Sequence, residues 1–582
     1  MFRFWHSKAG NFGIMTAVLL PALLAGVGLA VDTANIINAK ARLQNIADSA
    51  VLAASRENAS DAERERLFDD FISSQITGST ISSAVTDLST REGLNYVEVT
   101  GRVDAKVRLF LMNRIGTDGV TVSATSFRST KTLEIAMVLD NTGSMGQGGI
   151  DALKKASKAL LDAVESEGDP RQEVRVGLVP FVTAVNINGE GFDEAWIDKT
   201  GVAVYNGWNF IDDTMRNARP TLNAVQRRAD LTDAQRNAIM AKWAHYDSAG
   251  CSITGTSQAA KDMRAMCANV KKYPHHWELF RQSKTEWKGC VEARPVPYNF
   301  DLTPPDPSKP DTLFVPYFAP SEPRARQTTG GNDGANFNNA WLDHKTQGFD
   351  INTNAGRTDI QRSTVKYSID GVVNNLPGKS VKDTHNLTIG PNRACPTPIV
   401  PLTDDMAKVR TGIDAMQFWN GSGTNISEGL AWGWRVLSPE APYTQAAPFG
   451  TDSVSKFLVL MTDGTNVSFG SSNTINKSDY GSYGFLGAKG MNNAASRIDG
   501  KTSQGEAEKT LNTWTGSMCT QMKAQGVEVF TVLYNTTNAA VKTLFENCAT
   551  KKDNFHMASN TAALEKAFSD IGRAVAALHL TH

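Results

Sequence analysis

The stretch Leu133-Glu134-Ile135-Ala136-Met137-Val138-Leu139-Asp140-Asn141-Thr142-Gly143-Ser144 decides how this chain is read. A short apolar run delivers D-x-T-x-S into a glycine-bearing turn. That places one carboxylate and two hydroxyls on a single loop, an all-oxygen set suited to a hard cation such as Mg²⁺. Such a set does not neutralise the ion, which stays electrophilic and can accept an oxygen from a partner. The chemistry is that of a binding protein before that of an enzyme. In 582 residues the pattern also occurs by chance, and by itself it reads as a surface turn.

Two later segments change that reading. Gly421-Ser422-Gly423-Thr424-Asn425 precedes an apolar, helix-like stretch from Ile426 to Leu437. Phe457-Leu458-Val459-Leu460-Met461-Thr462-Asp463-Gly464 is a second buried-strand run, ending in Thr-Asp-Gly. Thr424 and Asp463 thus sit in loops at strand ends or before a helix. In an open parallel sheet those loops converge on one crevice, where ligands bind.

The order of elements fits such a sheet. Leu153, Leu160, Leu161 and Val164 keep helical spacing between Ile150 and Val164, and Val174 to Phe181 reads as the next strand. Ala507 to Lys523 is helical, Val527 to Leu533 a strand, Val541 to Phe545 a short helix and Asn554 to Met557 an edge strand. Ala562 to Ala577 closes the chain as an amphipathic helix. Alternating strands and helices predict an α/β fold with a doubly wound, mostly parallel sheet. The rhythm breaks between Phe181 and Leu402, a stretch with Trp208, Trp243, Trp277, Trp287, Trp341 and four of the six cysteines. A structureless loop of that length is implausible in a compact domain, so residues 183–402 are expected to form a large inserted subdomain beside the metal-bearing loops. A second insertion, Ser468 to Gly505, is rich in Ser, Gly and Asn.

On these residues the chain resembles a von Willebrand factor A domain, and the oxygen set resembles its metal-ion-dependent adhesion site. The five positions of that site map onto Asp140, Thr142, Ser144, Thr424 and Asp463. The resemblance implies direct coordination of Mg²⁺ (or Mn²⁺ or Ca²⁺) by Ser144, Thr142 and Thr424, with Asp140 and Asp463 acting largely through water. It also implies a protein partner that supplies a carboxylate. Because Asp140 ends a buried strand at the sheet's C-terminal edge, its side chain is expected in the crevice, and its removal is expected to cost little stability beyond that of the bound ion.

The N-terminus points to the membrane. Phe12 to Val31 carries no charge and has about the length needed to cross a bilayer. Arg3 and Lys8 precede it and Asp32 follows, which predicts a cytoplasmic N-terminus and the bulk of the chain outside the cytoplasm. Ile36, Ala39, Leu43, Ile46, Ala47, Ala50 and Ala54 continue at helical spacing, so a retained anchor is expected rather than a cleaved signal peptide. The order of features, from a basic head through Gly10-Asn11 and Leu19-Leu20-Pro21 to Leu43-Gln44-Asn45-Ile46-Ala47-Asp48-Ser49-Ala50, resembles the N-terminal segment of the TadE/TadG-like family of tight-adherence (Flp) pilus assembly proteins. Met15 stands where pilin-like relatives carry the glutamate that guides processing, which speaks against prepilin-type cleavage. The segments Trp287 to Pro295 and Asp311 to Pro316 resemble the insertion of the TadG-like group. The resulting organisation is a cytoplasmic head (1–11), a transmembrane helix (12–31), a pilin-like helical extension (32–60), a small α+β spacer module (61–130) and the A-like domain (131–582).

In the spacer, Val97, Val99, Val103, Ala105 and Val107 alternate with polar residues, as do Val120, Val122 and Ala124, the period of half-buried strands. Leu109 to Ile115 reads as a short helix between them. With 59 Lys and Arg against 60 Asp and Glu, and no basic tract, nucleic-acid binding has little support. All six cysteines lie in the part expected outside the cytoplasm, which favours disulfides. Cys519 and Cys548 flank one strand, while Cys251, Cys267, Cys290 and Cys395 would pair in one of three ways. Zinc, with His275 and His276 nearby, is the alternative. No nucleophile elbow, Walker A or H-E-x-x-H motif occurs. A metal-dependent hydrolase would need a general base, for which Asp404, Asp405 and Glu428 are the candidates. The expectation is a non-enzymatic, envelope-anchored pilus assembly or adhesion factor, single-pass in the inner membrane with its bulk periplasmic or extracellular. A direct surface adhesin without a pilus role is the rival.

Overall fold

The computed structural model describes residues 8–55, 60–77, 79–93, 96–109, 119–129, 131–167, 172–210, 256, 275–323, 327–328, 331–332, 339–342, 352–353, 356–357, 360–361, 365–367, 389–421, 423–468, 476–487 and 497–577. The chain divides into two compact units, Met1–Lys131 with Asp169–Glu173, and Thr132–Gly168 with Val174–His582.

The first unit begins with α1 (Lys8–Ala54), one uninterrupted helix of 47 residues, about 70 Å long at 1.5 Å per residue. It is long and apolar enough to cross a membrane. Val18, Leu23, Leu24 and Val27 are exposed, as side chains that face lipid must be. Pro21 lies inside the helix without ending it. Farther along, Ala39, Leu43, Ala47, Ala50 and Ala54 are buried, so the helix changes from an all-round apolar rod to one with a single packing stripe. Helix α2 (Asp61–Ile76) opens with a capping box in which Ser60 and Glu63 satisfy each other's backbone N–H groups. Its Phe68 and Ile72 join α1 in covering a sheet of β1 (Ile81–Gly93), β2 (Tyr96–Val107) and β3 (Gly119–Ser129). Both pairings are antiparallel. β2 and β3 carry the alternation read from the sequence, whereas β1 was not foreseen, because Ile81 is its one buried apolar residue. The helix expected from Leu109 to Ile115 lies outside the described residues beyond Leu109.

The second unit is built on a mixed sheet. Its described strands lie in the order β13-β12-β11-β4-β5-β6-β7, with β10 also paired to β5. These are β4 (Thr132–Asp140), β5 (Val174–Phe181), β6 (Val185–Asn186), β7 (Cys290–Val291), β10 (Val400–Thr403), β11 (Val454–Thr462), β12 (Val527–Tyr534) and β13 (Phe555–Ala558). The five from β13 to β5 run parallel, while β6, β7 and β10 pair antiparallel. A separate two-stranded piece pairs β8 (Gln327–Thr328) with β9 (Gly331–Asn332).

Helices cover both faces, which is why the central strands are nearly all apolar. Leu133, Ile135, Met137 and Leu139 of β4 pack in one cluster with α3 (Gly146–Glu167), α5 (Met406–Ala415) and α9 (Thr561–Ala577). Ala136 and Val138 face the other cluster, with α6 (Ile426–Val436), α7 (Gln504–Ala524) and α8 (Ala539–Cys548). A further helix, α4 (His276–Gln282), lies in the inserted region.

That region is less separate than the sequence implied. β6 and β7 extend the main sheet, and Val185, Trp196 and Phe314 share the apolar cluster of α6. Disulfides join Cys290 to Cys395 and Cys519 to Cys548. The second ties α7 to α8, around β12. The first removes both sulfurs from any zinc reading, and Cys251 and Cys267 lie outside the described residues.

Candidate functional site

β4 and β11 are adjacent and parallel, with Met461 level with Leu139. β4 has β5 on its other side. The chain therefore leaves this pair in opposite directions, and a crevice opens at the C-terminal ends of the two strands. Asp140 is the last residue of β4, and Asp463 follows β11 directly.

The third loop is stitched to the first by backbone. Trp419 N–H donates to Asn141 O at 2.9 Å, and Asn141 Nδ2 donates to Gln417 O at 3.1 Å. A Cβ on Gly143 would collide with Asn420 Oδ1, so the loops approach this closely only over glycine. Thr424 exchanges backbone hydrogen bonds with Val467, 2.9 and 2.8 Å long. Asn425 caps α6 through Glu428 N–H at 3.1 Å and donates from Nδ2 to Ser482 Oγ at 2.8 Å. The loop that carries Thr424 is thereby fixed from both sides.

The oxygens form a continuous chain. Thr142 Oγ1 lies 2.9 Å from Ser144 Oγ, and Ser144 Oγ donates to Asp463 Oδ1 at 2.8 Å. Asp140 Oδ1 accepts Thr142 N–H at 2.8 Å, and Oδ2 accepts Thr462 Oγ1–H at 2.5 Å. Thr142, Ser144 and Thr424 line one cavity of about 510 Å³. Two carboxyl groups thus lie close together. Burial raises the Asp140 carboxyl above its ordinary value, against the hydrogen bonds from Thr142 and Thr462. Burial first, then the neighbouring Asp140, push Asp463 up to about 7. A shared proton relieves the repulsion, and so would a divalent ion.

The structure brings Asp140, Thr142, Ser144 and Asp463 into one hydrogen-bonded cluster and places Thr424 on the wall of the same cavity. It corrects one expectation. Asp140 is fully buried and holds two donors, so its truncation strands polar groups instead of leaving stability untouched. Thr462 went unnoticed in the sequence, although alternation along β11 puts its side chain opposite to that of Asp463 and onto Asp140. Arg393, Asp479 and Asn420 also line the cavity and carried no readable signal. Of the candidate bases, Asp405 caps α5 and Glu428 is buried against Trp432 Nε1 at 2.8 Å. Neither they nor Asp404 are among the residues lining the cavity. Among the described residues no three His, Cys, Asp or Glu side chains gather into a metal-holding group. Any ion at this cluster would depend on hydroxyls, and three hydroxyls with two carboxylates fit a hard divalent cation.

Residues 10–60 match the family described as putative Flp pilus-assembly TadE/G-like. The N-terminal segment is therefore TadE/G-like, as its sequence was read. No curated protein matches the chain. Among solved structures, the pilus adhesin SpaC from Lactobacillus rhamnosus GG aligns at 11% identity and a TM-score of 0.29. The alignment takes in 85% of this chain and 35% of that one, so the chain spans about a third of SpaC. The von Willebrand domain of the type V pili tip protein Mfa5 from Porphyromonas gingivalis aligns at 10% identity and a TM-score of 0.29, over 77% of this chain and 95% of that one. Proximal thread matrix protein 1 from the mussel byssus, with a zinc-occupied MIDAS motif, aligns at 11% identity and a TM-score of 0.18, over 77% and 96%.

Proposed function

We propose that residues 131–582, which contain the whole second unit, are a von Willebrand A-like binding domain on a membrane-anchored pilus assembly or adhesion factor. Ser144, Thr142 and Thr424 would hold Mg²⁺, or Mn²⁺ or Ca²⁺, with Asp140 and Asp463 backing it through water. When bound, the ion supplies an electrophile for a carboxylate of a protein partner, a pilus or envelope component. The chain's own part is positional. Asp140 fixes the Thr142 backbone and the Thr462 hydroxyl, and Asp463 orients Ser144.

The observation that carries this reading is the meeting of Ser144 and Asp463, 319 residues apart, in one hydrogen bond beside a buried second carboxylate. Chance surface turns do not assemble from separate loops at the switch point of a sheet. The TadE/G-like match of residues 10–60 supports the pilus context and the membrane anchor. By charge asymmetry the N-terminus lies in the cytoplasm of a single-pass inner-membrane protein, and the bulk lies in the periplasm or beyond. The activity is binding, without turnover.

The test uses the full chain in its own cell. Asp140→Asn keeps size and shape, so the protein should be made and localised normally, yet piliation or attachment should fail. Normal pili and adhesion in cells that make only this variant would remove the metal site from the function. Intact pili with lost attachment would instead mark a direct adhesin.

A further inference from the structure

The cavity beside the oxygen cluster has a wall supplied by the inserted region. We propose that Arg393 on that wall selects the ligand, so that the preferred partner segment carries two neighbouring carboxylates, one for the metal cluster and one for Arg393. The inference rests on the metal-dependent reading above and names the class of partner for that same site.

The first argument is size. About 510 Å³ is the volume of a small-ligand pocket, far more than one carboxylate occupies. A ligand that reaches Ser144 and Thr424 therefore brings further groups into the same space.

The second argument is a guanidinium with unfilled donors. Arg393 is 4% exposed and lines the cavity. Its Nη2 donates to Asp479 Oδ2 at 2.9 Å, while Nε and Nη1 have no acceptor among the described residues. A buried guanidinium with two idle donors is costly, and its planar fork suits carboxylates. Asp479, on the same wall, offsets its charge without filling its donors.

The third argument is that the position is built. Gly421, on the loop that leads to Thr424, has φ +105°, and a Cβ there would press into the guanidinium, 2.7 Å from Nη2 and 2.9 Å from Cζ. The metal loop and Arg393 are thus held in contact across a glycine. Two residues along the chain, Cys395 is bonded to Cys290 in β7, which fastens the Arg393 turn to the main sheet. The role of this part of the insertion would be to set a second anchor at a fixed place beside the first.

The test is binding of fluorescent peptides by the full chain in detergent with saturating Mg²⁺. The probes are an otherwise neutral peptide with one Asp and the same peptide with two adjacent Asp. Wild type should favour the two-Asp peptide by at least tenfold, and Arg393→Gln should lose that preference while Mg²⁺ still raises its melting midpoint. Because Arg393→Gln removes the guanidinium bonded to Asp479, Arg393→Gln with Asp479→Asn serves as the second variant and should behave alike. A wild type that binds Mg²⁺ but prefers neither peptide, binds neither, or keeps its preference in both variants overturns the role of Arg393. A wild type that binds no Mg²⁺ overturns the metal reading on which it rests.

Discussion

Ser144→Ala isolates the metal site from the fold. Ser144 is exposed, and its hydroxyl touches two partners, Thr142 Oγ1 at 2.9 Å and Asp463 Oδ1 at 2.8 Å. Without metal the loss is the hydrogen bond to a partly exposed carboxyl and the one from Thr142, about 1 kcal/mol each. With metal the loss is one ligand oxygen. If that oxygen is worth about 2 kcal/mol, in the range of a hydrogen bond to a charged group, the Kd for Mg²⁺ rises about thirtyfold. At an ion concentration about one hundred times the wild-type Kd, Mg²⁺ stabilises wild type by about 2.7 kcal/mol and the variant by about 0.9 kcal/mol. Over a unit of about 450 residues, these become rises in melting midpoint of about 3 °C and about 1 °C. The assay is thermal unfolding of both proteins with EDTA and with Mg²⁺. Equal Mg²⁺-induced rises in the two proteins would refute the reasoning, because Ser144 would then not be a ligand. Asp140→Ala is a poorer probe. It strands the Thr142 N–H and the Thr462 hydroxyl in a buried site, at about 1–3 kcal/mol each, so a loss of function could reflect misfolding.

Mg²⁺ binding should weaken as pH falls below about 7, because Asp463, pushed up to about 7, must lose its proton to face a cation. The expected slope is about tenfold in apparent affinity per pH unit, read by calorimetry at pH 8 and pH 5.5. In EDTA the sign reverses. A folded-state value above the ordinary 3.8 contributes stability that is complete below about 4 and is lost as pH rises through about 7, so metal-free protein should melt earlier at pH 8 than at pH 6. Cys519→Ala with Cys548→Ala opens a loop with a sequence separation of 29. The loop-entropy relation predicts about 3.6 kcal/mol of lost stability, measurable by denaturant unfolding under oxidising conditions. A reporter fused after Ser55 should be active only outside the cytoplasm, with the protein retained in the membrane and its N-terminus intact.

What could be read from the sequence was what burial on two faces writes into composition. β4 and β11 carry the apolar runs Ile135–Leu139 and Phe457–Met461 because helices cover both sides, so these runs and the oxygen-bearing loops behind them stand out. β1 could not be read in the same way. It pairs with β2 along its length, yet beyond Ile81 only Ala84 and Leu88 are apolar on its half-buried face, too few to leave a readable period. β6 and β7, two residues each, are too short to carry a period at all. They were placed in the insertion, although hydrogen bonding makes them part of the main sheet. At the site, Asp140, Thr142 and Ser144 announce themselves by spacing on one loop. Thr462 was hidden in plain sight beside Asp463, since its importance lies in facing the next strand. Arg393 had no local signature, because its meaning depends on Gly421 and Asp479, which are neighbours only in three dimensions.

The position of the acids also explains why the site tolerates its own cost. Placing Asp140 and Asp463 at the ends of adjacent central strands brings two carboxyls into fully and partly buried positions, where burial raises both and the neighbouring Asp140 raises Asp463 further. Optimised for stability alone, the fold would separate or neutralise them. The apolar clusters on the two faces of the sheet hold β4 and β11 in register regardless, so the repulsion cannot relax by moving a strand. It can relax only by taking up a proton or a cation. A proton suffices at low pH, and above about 7 the cluster is left with a demand that a divalent ion would meet. That demand is localised where the loops leave a cavity open and where Ser144 is exposed. On the proposed reading, binding energy for a partner's carboxylate would come from the ion without any rearrangement of the sheet beneath it.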